Sequence, residues 1–256
     1  YHFPILRWNQ VLLITLRKER QLNIVLLEKD ERTLSRGDER FQHIRKVLHK
    51  GVGDSFHCGI VNSFEGNARI VSLSDEEMEL EFTPSFDSSA LYPLTVIVAQ
   101  VRPICMKRIL REAVSMGVEK LILPISDLGE KSYSSSSLYR DGEYRSILLD
   151  GAAQSGKTGV SECILTEGVE KAIEEAGEGE KLLMDNVIGA VNLSSLSLQG
   201  KRVILAIGPE RGWSERERGI FLSSGFSPVL LGSRILRTET AAVAGPAVAL
   251  TRMALI

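Results

Sequence analysis

The residues best suited to chemistry lie in two segments near the C-terminus. One is Ile207-Gly208-Pro209-Glu210-Arg211-Gly212-Trp213-Ser214. The other is Leu231-Gly232-Ser233-Arg234-Ile235-Leu236-Arg237-Thr238-Glu239-Thr240-Ala241-Ala242. Each sets a small-residue turn after an apolar run and just before a helix start. Such turns bare backbone N–H and C=O groups that no side chain screens. Two of them can form one composite pocket made largely of main chain. Arg234, Arg237 and Glu239 crowd three charges onto the second turn, a costly arrangement unless something uses them. The same residues also fit ordinary punctuation, with Ser214 as an N-cap, Glu217 closing a capping box, and Thr238 or Thr240 capping the last helix.

The elements that must carry these turns follow from hydropathy. Leu94 to Ala99 is a continuous β-rich run, as expected of a strand buried on both faces. Residues 107–117 read as a helix with Ile109, Leu110, Ala113 and Val114 inward. Residues 120–125 read as a strand, and Tyr144, Ile147, Leu148 and Ala152 mark another helix. Residues 203–207 and 229–231 are later strands, each running into a glycine turn. The alternation predicts an α/β domain with a mainly parallel sheet and ligands at the C-terminal strand ends. Ser132 to Ser137 reads as a loop.

A composition break at residues 83–89 marks a linker, giving domains 1–84 and 85–256. Before it, short alternating segments read as strands around residues 62–67. A helix there carries an apolar stripe of Phe41, Ile44, Val47 and Leu48, with Arg45, Lys46, His49 and Lys50 opposite. That basic face is either a solvated surface or a phosphate contact. From Arg7 to Lys50 there are eleven Lys and Arg against six acidic residues, although the net charge of the whole chain is only −2.

Together these residues resemble the bacterial small-subunit ribosomal RNA uridine N3-methyltransferases of the SPOUT class. Residues 107–118, a lysine-led helix ending in Met116-Gly117-Val118, and residues 150–157, with Gln154-Ser155, match further segments of that family. The resemblance covers residues 94–256 and, more faintly, the N-terminal third. The family's usual Gly-Pro-Glu-Gly-Gly has Arg211 in place of its first paired glycine, which requires a negative φ there or a left-handed cost. Ala153, Lys157 and Ser233 also depart from its pattern.

The resemblance implies a PUA-like β-barrel followed by a SPOUT domain whose last helix threads a trefoil knot. It implies S-adenosylmethionine as methyl donor, held by Met184, Ile207, Gly208, Pro209, Gly212, Leu231, Gly232, Ile235 and Leu236, with Thr240 and Ala241 closing the methionine end. Arg237 or Arg234 would stabilise an anion at uridine N3, since an always-charged guanidinium is a poor base. Glu239 or Glu210 would accept the proton, or else cap a helix. Arg7, Arg45, Lys46, Lys107, Arg108 and Gln154 would face RNA, as free ribosomal RNA or the small ribosomal subunit. The family also implies a homodimer, for which the apolar stretch 247–256 suits either an interface or a buried helix.

Composition narrows the alternatives. With 43% hydrophobic and 25% charged residues, the chain is expected to fold into packed domains. Cys58, Cys105 and Cys163 form no CxxC pair, which reads as free thiols and no metal site. No apolar run reaches membrane length, so a cytoplasmic protein without a membrane partner is expected. A different target nucleotide and a non-catalytic RNA-binding assembly factor are the other readings. A dinucleotide-dependent dehydrogenase fits poorly, because residues 208–212 lack the GxGxxG spacing.

Overall fold

The computed structural model describes residues 23–189 and 191–256. Arg7 lies outside these residues.

The N-terminal part is a curled five-stranded sheet, a PUA-like half-barrel. Its strands are β1 (Val25–Leu27), β2 (Thr33–Ser35), β3 (Ser55–Ile60), β4 (Phe64–Leu73) and β5 (Glu77–Asp87), in the order β1-β3-β4-β5-β2. All pairs are antiparallel except β1 with β3. Two register shifts in the β4–β5 pair, at Glu65/Gly66 and Ile70/Ser72, are of the kind that bends a ribbon. The period-2 pattern of β4 and β5 turns Ala68, Ile70, Met78 and Leu80 inward. Helix α1 (Glu39–Lys46) closes this core with Phe41 and Ile44.

Two expectations change here. The 83–89 segment is not a free linker, because β5 continues to Asp87 and pairs with β4 throughout. Pro84 is tolerated because β2 pairs only with residues 77–79, so β5 is a sheet edge at Pro84 and loses no ladder bond. The apolar stripe of α1 also stops early. Val47 is its C-cap and is 60% exposed, and His49 takes a left-handed φ of 53° beyond the helix.

The second sheet has seven strands, all paired in parallel: β6 (Tyr92–Val98), β7 (Val118–Pro124), β8 (Glu162–Thr166), β9 (Glu180–Met184), β10 (Val191–Asn192), β11 (Val203–Ile207) and β12 (Ser227–Leu230). Their order is β10-β12-β9-β11-β6-β7-β8. Every residue of the central β11 is buried. One face is covered by α2 (Pro103–Ser115), α4 (Tyr144–Ser155) and α7 (Thr238–Arg252), the other by α5 (Val169–Ala176) and α6 (Glu215–Ser223). The serine-rich stretch is helical rather than a loop. Lys131–Ser135 forms a 3-10 turn and Ser137–Arg140 forms α3, because Leu138 and Tyr139 are drawn into the core.

The two sheets are joined by paired backbone groups. Ile24 N donates to Ala153 O at 3.1 Å and Asn62 N to Thr158 O at 2.8 Å, while the buried Thr158 Oγ1 donates to Ser63 O at 2.5 Å. Ile24 and Leu26 join the larger core, so β1 belongs to both packing units. Among the described residues no helix is long and apolar enough to cross a membrane.

Candidate active site

Strands β9, β11 and β12 are neighbours, so the loops leaving their C-terminal ends meet in space. The first bend leaves β11 at Ile207. Gly212 N donates to Pro209 O at 2.8 Å, and Gly212 takes a φ of 72°. Gly208 lies against this turn, where a Cβ would sit 3.2 Å from both Gly212 Cα and Trp213 N. Arg211 escapes the left-handed region, so the family's missing glycine costs no strain. The capping box also forms: Ser214 Oγ accepts from Glu217 N at 3.1 Å, and Glu217 Oε2 accepts from Ser214 N at 2.8 Å. The bend is therefore both a helix entry and a pocket wall.

The second bend leaves β12 and turns at Gly232, whose φ is 133°. Among the described residues, no N–H of 232–236 donates to a backbone carbonyl, and Ile235 is 82% exposed. This segment has apolar surface and main-chain donors still to be used. Thr238 then begins α7, and its Oγ1 donates to Gly208 O at 3.1 Å, tying the second bend to the first. Neither Thr238 nor Thr240 is the N-cap; Arg237 is, without a side-chain bond.

A third wall follows β9. The side chain of Asp185 is only 1% exposed and receives Arg218 Nε at 2.7 Å. Its other oxygen accepts from Val187 N at 2.7 Å and Ile188 N at 3.2 Å. A buried polar group needs such hydrogen-bond partners. The pair pins α6 to the loop after β9. The last helix approaches the end of β9 through Gly245, where a Cβ would lie 2.6 Å from Met184 Sδ.

The three walls enclose a cavity of about 340 Å³, within the range of small-ligand sites. Its lining includes Met184, Ile207, Gly208, Pro209, Gly212, Leu231, Gly232, Ile235, Leu236 and Ala241 from the expected cofactor set, together with Arg234 and Glu210. Thr240, Arg237 and Glu239 are not wall residues. A helical period puts residues 238 and 241 on one face and turns 239 and 240 away, so Thr238 lines the cavity instead. Arg211 of the first motif also lines the cavity, and Asn186, Val187 and Arg218 complete walls that motif reading alone did not supply.

The expected RNA-facing residues lie elsewhere. Arg45 sits over the Phe41 ring at 5.9 Å and 3.9 Å from Asp75, beside the exposed Lys46. The basic face thus includes an acid from the neighbouring hairpin. On α2, Lys107 pairs with Glu143 while Arg108 is exposed. Gln154 lines a different cleft, between the two sheets. Among the described residues, no group of three or more His, Cys, Asp or Glu is placed to hold a metal ion.

Residues 88–250 match the model of the RNA methyltransferase domain. The chain belongs to the RNA methyltransferase family. The match starts where β5 ends and takes in all three walls of the cavity. Over 241 residues the chain is 36% identical to the ribosomal RNA small subunit methyltransferase E of Treponema pallidum, covering 90% of this chain and 91% of that one. It is 28% identical to the ribosomal RNA small subunit methyltransferase E 1 of Borreliella burgdorferi, covering 91% and 99%. The crystal structure of a ribosomal RNA small subunit methyltransferase E from Neisseria gonorrhoeae, bound to S-adenosyl methionine, has the same fold. Its TM-score is 0.73 at 24% identity, covering 90% of this chain and 98% of that one.

Proposed function

We propose that this methyltransferase moves a methyl group from S-adenosylmethionine to N3 of a uridine in small-subunit ribosomal RNA. The observation that carries the proposal is the convergence of the Gly208 and Gly232 bends on one cavity, joined through Thr238. The names of its relatives favour ribosomal RNA as the acceptor.

The cavity suits a sulfonium nucleoside. Unbonded N–H groups at 232–236 can read an adenine edge, Ile235 and Leu236 offer apolar cover, and no atom lies within 4 Å of a Cβ built on Gly232. When bound, S-adenosylmethionine supplies an electrophilic methyl on a sulfonium. The protein's task is then orientation and charge. An imide N–H is a weak nucleophile, so its proton must leave as attack begins. Glu210 lines the cavity and is the assigned proton acceptor, while Arg234, also in the lining, stabilises the anion that results. Glu239 and Arg237, outside the wall, are assigned to RNA contact or to the start of the last helix.

In this reading the β1–β5 sheet forms the RNA-holding domain and the parallel-sheet domain after it the methyltransferase. The expected boundary at 84/85 falls inside β5 and moves to Asp87. The last helix threads the loop containing Gly208, and two chains work as a homodimer in the cytoplasm. Arg45, Lys46, Lys107, Arg108 and Gln154 face RNA. Arg211 in the cavity wall favours one alternative, a different acceptor nucleotide. The test is incubation of unmodified small subunits with methyl-deuterated S-adenosylmethionine, followed by nucleoside mass spectrometry. Deuterated 3-methyluridine is expected. Label in another nucleoside would select the alternative, and no label would defeat both.

A further inference from the structure

Most of the cavity wall is main chain, yet three arginines line it, Arg211, Arg218 and Arg234, against two acids, Asp185 and Glu210. Arg218 is the arginine whose head group is held in place. It stands in the first turn of α6, and its side chain is only 16% exposed. Its Nε donates to Asp185 Oδ2 at 2.7 Å, and among the described residues the guanidinium makes no other hydrogen bond. Nη2 lies 3.6 Å from where a Cβ on Gly212 would stand, so the head group rests over the glycine turn of the first wall. Asp185 is fully used, because its other oxygen already accepts from Val187 N and Ile188 N. Arg218 is not. Bonding through Nε leaves free the edge between Nη1 and Nη2, which presents two parallel N–H groups with the spacing of a carboxylate. Donors fixed in a cavity wall and left unbonded mark a place where a ligand completes the set.

We propose that Arg218, held from behind by Asp185, binds the carboxylate of the methyl donor's amino-acid tail. This rests on the reading of the cavity as a site for S-adenosylmethionine. That ligand carries two positive groups, a sulfonium and an ammonium, and a single anion. In a wall where arginines outnumber acids, the carboxylate is the part of the ligand that a guanidinium attracts. Arg211 precedes Gly212 in the same wall and adds a second positive charge to that turn. Placing the tail there leaves the main-chain donors and apolar surface of 232–236 for the adenine end. The carboxylate is unchanged by methyl transfer, so the contact is made alike before and after it. Arg218 therefore acts on affinity and on the choice of donor, selecting a ligand that keeps its carboxylate over one that has lost it.

The test is calorimetry of two ligands on the full-length protein, S-adenosylmethionine and its decarboxylated form, which lacks only the carboxylate. Wild type is expected to bind the decarboxylated ligand about 10- to 100-fold more weakly, the range for hydrogen bonds to a charged group. Removing Arg218 alone would strand Asp185, so the second protein is Asp185→Asn with Arg218→Met, with a thermal scan to confirm folding. It should bind the two ligands within about three-fold of each other. Arg218→Lys keeps the charge without the fork and should show a smaller preference than wild type. This variant reads the same contact should the double one fail to fold. Equal binding of both ligands by wild type would overturn the proposal and leave the S-adenosylmethionine reading intact. So would a variant that keeps the full wild-type preference, even if both affinities fall together. A folded wild type that binds neither ligand would remove both readings.

Discussion

Thr238 Oγ1 donates a 3.1 Å hydrogen bond to Gly208 O, joining the start of the last helix to the bend that follows β11. Thr238 is only 4% exposed, so its hydroxyl cannot exchange this bond freely for water. Thr238→Val keeps the shape and removes the hydroxyl. A typical hydrogen bond contributes about 0.5–1.5 kcal/mol net. The variant should melt several degrees lower in a thermal scan and bind S-adenosylmethionine more weakly by calorimetry. Unchanged values in both would show that the two bends hold their positions independently.

Asp185 and Arg218 form the second fastening. Removing one member strands the other, which for buried pairs typically costs about 3–5 kcal/mol. Arg218→Met should therefore destabilise strongly in urea. Asp185→Asn combined with Arg218→Met should recover part of the loss, because no buried charge remains. A double variant no more stable than the single would argue against the pair as the cause.

Arg40 gives the N-terminal sheet a pH signature. It bonds Asp38 at 2.6 Å and Glu31 at 2.7 Å. Its hydrogen bonds hold Asp38 below its ordinary 3.8; for Glu31, burial acts upward, but bonds from Arg40 and Glu28 N carry it below 4.5. Carboxyl groups with lowered folded pKa values stabilise above their ordinary values, and that contribution disappears as pH falls through the lowered ones. Arg40→Leu should cost about 1–2 kcal/mol at pH 7 and flatten the acid limb of stability below pH 4.5. Urea titrations at pH 7 and pH 3 would check both; an unchanged acid limb would contradict the assignment.

The basic face of α1 offers a test of RNA contact. Arg45→Ala with Lys46→Ala should weaken binding to small-subunit RNA and reduce its log–log salt slope by about 0.7–0.9 per lost phosphate contact. Because Asp75 sits 3.9 Å from Arg45, Lys46 should contribute the larger share. An unaltered slope would return the face to solvent.

Much of this site could be read from residue types. Glycine, proline and the capping pair Ser214/Glu217 mark local backbone geometry, which needs no knowledge of distant contacts. The buried strands 94–99 and 203–207 were legible for the same reason, since continuous apolar runs leave few alternatives. What escaped was tertiary. Nothing in the spacing says that Asp185 meets Arg218, or that Thr238 reaches Gly208 rather than capping its own helix. The 83–89 segment has turn composition, yet its pairing with β4 overrides that preference.

The central claim is that two glycine bends make one main-chain site for S-adenosylmethionine. Calorimetry of this ligand against wild type and Gly232→Val tests it most directly, with a thermal scan to confirm that the variant is folded. Gly232 has a φ of 133°, which a β-branched residue cannot adopt without strain. One ligand per wild-type chain and none on a folded variant is the predicted result. Equal binding by both proteins would contradict it.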